Sequence, residues 1–378
     1  MTQKSYIIDG FRIPTGKKGG YYKNVIPEAF TAHLLKYFKQ NYPFLDSKLD
    51  ELILGISLGT GGNMARFALL EAGFSIETPA TSLDFQCGSS LKAILLAEAQ
   101  IRSGMSDCLL VGGMESNSLA PKRQYHEKDP RFINLETFYS QATFAPPIFG
   151  DSSLTKAAEN LAKIYQISKS EMLEWCVRSH QKALESIEKK GLNQAIIPFK
   201  GFEIDQTIRK NLSFSQLQQT ASEQLIDHTN TAHLHDGASI VLMVGEKFCL
   251  QHQLQAKFEI VCHTVVGLEP HLAPKGVIIA VEKLLQKFNF SLKNIDLFEI
   301  NESFAAKPLA FIKHFNIDSE KVNIFGGNLA FGHPFGASGA MNLIHLMKAL
   351  EYSQKTTGLL AMAVAGGQGM AIIIRKIK

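Results

Sequence analysis

Cysteine is scarce in this chain of 378 residues. There are five, Cys87, Cys108, Cys176, Cys249 and Cys262, and no two are spaced as C-x-x-C. That pattern argues against a disulfide framework and a cysteine zinc site, and fits a reducing compartment. An excess of one charge is also missing. The formal net charge is +4 and no basic run of five or more occurs, which speaks against a nucleic-acid partner. Glycine or charge interrupts every apolar stretch well short of a membrane span, and no long apolar core of a secretory leader opens the chain. With 45% hydrophobic and 20% charged residues, the composition points to a soluble, cytoplasmic globular protein long enough for two core-forming units.

What is present is organised around the stretch from Leu83 to Gly113. A β-prone run, Thr81 to Phe85, meets Cys87-Gly88-Ser89-Ser90, and a helical segment then runs to about Arg102. Leu91, Ala93, Ile94, Leu95, Leu96, Ala97, Ala99 and Ile101 cover most of its circumference, the pattern of a helix buried on several sides. An apolar strand, Cys108 to Val111, closes on Gly112-Gly113. Cys87 therefore sits at a strand-to-helix junction, where free backbone N–H groups and the helix dipole favour a thiolate. A lone cysteine is more often a buried structural thiol, so partners have to be found elsewhere in the chain.

Strands alternate with helices through most of the sequence. Strands are expected at Ser5–Asp9, Leu52–Leu58, Ala238–Val244, Phe258–Val266, Leu297–Ile300, Val322–Phe325 and Gly358–Val364. Helices are expected at Ala29–Asn41, Asn63–Ala72, Pro274–Phe288, Ser303–Phe315 and Ala337–Leu350. This is the texture of an α/β fold with a buried, largely parallel sheet. The Gly-rich turn from Arg12 to Gly20 lacks phosphate-loop spacing and reads as a loop. From about 115 to 232 strand signals fade, and two amphipathic helical runs, Ser153–Tyr165 and Ser168–Lys189, stand out. That segment reads as an excursion folded over the core, the kind that often carries substrate contacts. The block of helix, glycine, apolar strand and Gly-Gly at 88–113 recurs at 336–367, which suggests an internal duplication. Two such halves would bring Cys87, Asn301, His333 and the Gly366 loop together at strand ends.

Each of the first three follows a strand signal and opens a helix or a Gly-rich loop. A cysteine nucleophile needs a base or cation beside it and donors for the oxygen of the carbonyl it attacks. His333 supplies an acceptor and later a donor, and Asn301 a donor or a holder of water. Singly, His333 reads as a turn histidine and Asn301 as an N-cap; together with Cys87 they read as a site.

These motifs resemble the thiolase superfamily. Phe85-Gln-Cys-Gly-Ser-Ser-Leu is similar to its nucleophile segment, Asn301-Glu-Ser-Phe-Ala to its Asn-Glu-Ala-Phe motif, and Gly332-His-Pro-Phe-Gly-Ala-Ser-Gly to its histidine motif. Weaker echoes include Arg12-Ile-Pro-Thr-Gly and Val111-Gly-Gly-Met-Glu115. The resemblance implies a five-layered α-β-α-β-α fold of two similar halves, residues 1–250 and 251–378, with a loop domain inserted at about 115–232. It also implies a homodimer or homotetramer, no permanently bound cofactor, no metal, and coenzyme A thioesters as substrates. Such proteins cleave 3-oxoacyl-CoA with CoA, or condense two acyl-CoA molecules. By resemblance Cys87 carries the acyl group and His333 activates it. His333 with an Asn301-held water forms one oxyanion hole, and the N–H groups of Cys87 and Ala365 form a second.

The sequence also departs from the family. Ala363 stands where it usually has a second cysteine, the acid/base that moves the α-carbon proton. Losing a positioned acid/base removes roughly two to four orders of magnitude in rate, so acylation of Cys87 should survive better than C–C chemistry. Arg209 matches an arginine that contacts the nucleotide end of CoA, while Ala232 replaces a serine on the pantetheine path and His235 replaces an asparagine. Two functions follow as expectations: a thiolase-like acyltransferase or, on the strength of Ala363 and Ala232, a catalytically reduced subunit with a binding or structural role.

Overall fold

The computed structural model describes residues 3–139, 143–150 and 153–377. The strands among them are β1 (Ser5–Arg12), β2 (Gly16–Lys17), β3 (Glu51–Gly55), β4 (Ala80–Leu83), β5 (Cys108–Glu115), β6 (His235–Gly245), β7 (Phe258–Gly267), β8 (Leu297–Ile300), β9 (Thr357–Val364) and β10 (Gln368–Lys376). The first helices are α1 (Pro27–Asn41), α2 (Leu45–Lys48), α3 (Met64–Glu71) and α4 (Ser89–Ser103). The excursion holds α5 (Leu154–Ile164), α6 (Lys169–Glu188) and α7 (Phe214–Thr220). After it come α8 (Glu246–Gln251), α9 (Gly276–Phe288), α10 (Ala306–Phe315), α11 (Asn328–Phe331) and α12 (Phe335–Tyr352). Asn63, Ser153 and Ser168 cap α3, α5 and α6 with side-chain oxygens, and Ser168 with Glu171 makes a full capping box; each satisfies backbone donors that a helix start leaves open.

The strands run in the order β4-β3-β5-β6-β1-β7-β10-β9-β8. Only two residue pairs join β1 to β7, and at this seam the sheet divides into two leaves. The strand period of two decides what lies between the leaves. Ile53, Leu109, Val111, Val241 and Met243 of the first leaf share one core with Leu360, Met362, Val364, Met370, Ile372 and Ile374 of the second. Leu91, Ile94 and Ile101 of α4, and Leu343, Ile344 and Leu346 of α12, fill the space between them. The alternate residues face outward. Leu52, Leu54, Leu110 and Leu242 meet α1 and α3, while Leu359, Ala361, Ala371 and Ile373 meet α9 and α10. The layers are thus helix, sheet, helix, sheet, helix. The paired helices of the central layer, α4 and α12, belong to the two stretches that repeat in the sequence, and Ser90 Oγ accepts a hydrogen bond from Ala340 N between them (3.0 Å).

Two expectations are corrected. The sheet is mixed rather than largely parallel: β3–β4, β3–β5 and β8–β9 are parallel, whereas β6 and β10 pair antiparallel with all their neighbours. Both faces are covered by helices, so an antiparallel strand here carries the unbroken apolar run typical of parallel ones. β9 and β10 form a hairpin whose turn puts Gly366 and Gly367 at positive φ (85° and 80°), a conformation glycine adopts without steric cost. The segment 322–325 is a turn with a single bridge, Val322 to Phe298. Its Asn323 side chain holds β8 instead, accepting from Ile300 N and donating to Ile300 O. No strand crosses the described part of the excursion between β5 and β6. No helix among the described residues is long and apolar enough to cross a membrane.

Candidate active site

A cavity of about 160 Å³ opens where the ends of the two leaves meet. Cys87, Lys307 and His333 line it, with Ala363, Val364 and Ala365 as one wall and Thr231, Ala232 and Leu234 as another. The folding of the two leaves thus brings Cys87, His333, Ala232, Ala363 and Ala365 to one pocket.

Cys87 is held on a braced elbow. Gln86 before it adopts φ +48°, an uncommon conformation for a side-chain-bearing residue that marks stored strain. Asp84 Oδ1 accepts from Gln86 N (2.7 Å). Ser89 Oγ accepts from Phe85 N (2.8 Å) and donates to Gln86 O (2.6 Å). Gly88 lets this turn close on the second leaf: a Cβ there would lie 2.7 Å from Val364 Cγ2 and 2.9 Å from Met370 Sδ. Burial works against a preformed thiolate here, opposing the pull expected from the helix start. Desolvation pushes the Cys87 thiol up to about 12, against the lowering pull of the Lys307 cation. Below that value the thiolate fraction grows with pH. The rate of Cys87 alkylation by iodoacetamide will therefore climb about tenfold per pH unit from pH 7 to 10, because only the thiolate reacts; a plateau already at pH 7 would show a preformed ion.

His333 presents a neutral imidazole with a free acceptor nitrogen. Ser338 Oγ donates to Pro334 O (2.9 Å) and so receives the proton of His333 Nδ1 (2.7 Å). That fixes the tautomer and leaves Nε2 as an acceptor. His333 Nε2 is buried and has no hydrogen-bond partner. Burial, then the charge of Lys307, holds the imidazole down at about 3, so the lone pair persists throughout the physiological range.

Asn301 departs from its expected place. Its side chain is fully buried and does not line the cavity. Oδ1 accepts from Lys307 Nζ (2.5 Å), and Nδ2 donates to Asn328 Oδ1 (2.9 Å). Both ends of the amide are engaged, and the group Asn301 presents toward the pocket is the lysine. Asn328 Oδ1 also accepts from Glu302 N and Asn342 Nδ2. Behind this network Glu302 accepts from Trp175 Nε1, Ser179 Oγ and Asn323 Nδ2. The chain's single tryptophan thereby ties α6 of the excursion to the site. Arg209 is exposed and lies outside the cavity lining. Its charge reaches the buried His180 and the nearby His233. His235 is buried under the site, where its ring lies between Thr207 Oγ1 and His233 O.

Lys307 was not singled out by the sequence. Its signal is a lysine within Phe304-Ala-Ala-Lys-Pro-Leu-Ala-Phe311, an otherwise apolar segment directly after the Asn-Glu pair. A buried lysine is rare without a purpose.

The sequence profile of the thiolase N-terminal domain matches residues 5–247, and that of the thiolase C-terminal domain residues 254–376. A Staphylococcus aureus (strain COL) protein, provisionally named acetyl-CoA C-acetyltransferase VraB, is 32% identical over 380 residues, covering 99% of both chains. A Staphylococcus epidermidis protein of the same provisional name is 33% identical over 377 residues, covering 98% of both. The crystal structure of the Bacillus anthracis acetyl-CoA acetyltransferase superposes with a TM-score of 0.91 at 28% identity, covering 100% of this chain and 99% of that one.

Proposed function

The chain belongs to the thiolase family, and we propose that it is an acyltransferase on coenzyme A thioesters, working through an acyl-Cys87 intermediate. The observation that carries this reading is the unpaired, neutral Nε2 of His333 in the same small pocket as the Cys87 thiol. As the thiol attacks a thioester carbonyl, its proton passes to His333 Nε2, so no free thiolate has to be maintained beforehand. The backbone N–H groups of Cys87 and Ala365, both of which line the cavity, are the proposed donors to the developing oxyanion. They do not depend on the side chain at 363, where Ala363 offers only a methyl group. The substrates are acyl-CoA and CoA, in thiolysis of a 3-oxoacyl-CoA or in condensation of two acyl-CoA molecules. Arg209 would meet the nucleotide end, and Ala232 the pantetheine arm. No bound cofactor is required by this chemistry. A homodimer or homotetramer in the cytoplasm completes the reading: β4 ends the sheet and, among the described residues, no strand pairs with its outer side, a natural place for a second copy to add.

Intact-mass spectrometry after mixing the protein with acetyl-CoA, and separately with a longer acyl-CoA, tests the reading. One acyl mass per chain is expected. If neither thioester leaves an adduct while CoA still binds, the chain is a binding or structural subunit instead.

A further inference from the structure

Carbon–carbon chemistry on a thioester needs one more group than acyl transfer does. Something has to remove a proton from the carbon next to the carbonyl. Cys87 cannot do this while it carries the acyl group, and the wall formed by Ala363, Val364 and Ala365 has no proton-bearing side chain. Of the titratable residues lining the cavity, Cys87, His333 and Lys307, only Lys307 has no assigned task. We infer that Lys307 is the proton carrier of this pocket, its side-chain nitrogen taking the α-proton from a bound acyl-CoA and handing it back within the same turnover.

The geometry fits that task. Lys307 sits in the first turn of α10, six residues after Asn301, and its side chain is 1% exposed. Nζ is fixed by Asn301 Oδ1 at 2.5 Å, and Asn301 is in turn fixed by Asn328. One of the ammonium's three N–H donors is thus spent on positioning, and the others remain for the pocket that Lys307 lines. A lysine surrounded by carboxylates would be locked as a cation. The groups whose charge reaches this one are Cys87, Glu302 and His333, and Glu302 is occupied by Trp175, Ser179 and Asn323. Burial lowers Lys307 from its usual value to about 7, which leaves amine and ammonium both available near neutrality. Cys87 at about 12 and His333 at about 3 titrate on either side of that window.

In the condensing direction the free amine takes the α-proton: the C–H bond breaks, an N–H bond forms, and the electron pair stays on the substrate as an enolate. The enolate carbon attacks the acyl-Cys87 carbonyl. A C–C bond forms, the C–S bond to Cys87 breaks, and the departing thiolate receives the proton from the lysine ammonium. Thiolysis is the reverse: the Cys87 thiol gives its proton to the amine as it attacks the 3-oxo carbonyl, the C–C bond breaks, and the resulting ammonium protonates the carbanion. The acyl group then passes to CoA while His333 carries the CoA thiol proton to the departing Cys87 thiolate. Atoms and charges balance without any other reactant.

This role rests on the acyltransferase reading, and the test separates the two. Acyl uptake by Cys87 is read by intact mass, and loss of α-protons from acetyl-CoA in D2O by NMR, in the wild type, Lys307→Gln and Lys307→Met. Glutamine keeps an amide donor for Asn301, so a mere prop would survive it. Both variants should still take up an acyl group, while α-proton exchange and condensation fall by about 10²–10⁴-fold, the usual cost of losing a positioned acid/base. In the wild type, exchange should rise through a midpoint near 7 and then level off, since only the free amine accepts a proton. This profile needs no variant to fold. An acylated Lys307→Gln protein that exchanges at the wild-type rate, or a wild-type profile flat across neutrality, overturns the role alone. A wild type that takes up no acyl group overturns the acyltransferase reading and the role with it.

Discussion

Cys87→Ala will take up no acyl group from any acyl-CoA, and its acyl-transfer rate will fall by about 10⁴-fold or more, as expected when a covalent nucleophile is lost. The fold will be nearly untouched. Cys87 is partly exposed at the pocket, and the elbow beneath it is held by Asp84 and Ser89 rather than by the thiol. CoA affinity should therefore survive, since the proposed contacts of Arg209 and Ala232 do not involve the thiol. Cys87→Ser is the sharper control. It preserves size and a hydroxyl proton for His333 Nε2, so any shortfall measures the nucleophilicity of sulfur rather than a packing change. Measurable turnover or an acyl adduct in Cys87→Ala would show that another group carries the acyl chain, and the assignment of His333 as its base would fall as well.

How far the sequence reached can be judged from particular residues. The elbow at Cys87 and the loop at His333 were legible because each combines a chemical group with local signals of strand end, glycine and helix start. The core was legible for the same reason: strand and helix periods are local. What depends on distant parts of the chain was not. Strand direction in the leaves cannot be read when both faces are buried, which is why β6 was placed in a largely parallel sheet, while β10 was not read as a strand at all. The apolar run 322–325 looked like a strand because nothing local shows that Asn323 will turn back to cap β8. Asn301 was placed in the pocket, yet its amide is consumed by Asn328 and Lys307. Lys307 was invisible because a lysine one turn into an amphipathic helix usually reaches solvent along its stem. Only the fold shows that this one cannot. The same holds for the lone pair on His333, whose availability depends on Ser338 sending its own proton to Pro334.

The largest loss of stability from a single substitution is expected at Asp205, far from the chemistry in sequence but directly beneath it in space. Asp205 and Arg12 form an ion pair with both side chains fully buried. Arg12 donates through Nη1 to Oδ1 (2.6 Å) and through Nη2 to Oδ2 (2.8 Å), and Thr15 N adds a third bond to Oδ1 (2.8 Å). The guanidinium also donates through Nε to His345 Nε2 (3.0 Å) and lies 5.4 Å from the ring centre of Phe331, two residues before His333. Asp205→Ala leaves that cation buried without its counter-charge, which costs about 3–5 kcal/mol. Over 378 residues, at about 2.1 cal/mol/K of unfolding entropy per residue, this lowers Tm by about 4–6 °C. Asp205→Asn should cost less, because it keeps acceptors for Arg12 and Thr15. Arg12→Met combined with Asp205→Leu should cost less than the two single changes summed, because removing both charges leaves neither stranded. Calorimetry on Asp205→Ala, Asp205→Asn, the double variant and its two single parents decides the matter. An Asp205→Ala protein that melts with the wild type would mean that water or a rearranged loop reaches Arg12, and that the pair does not anchor the floor under His333.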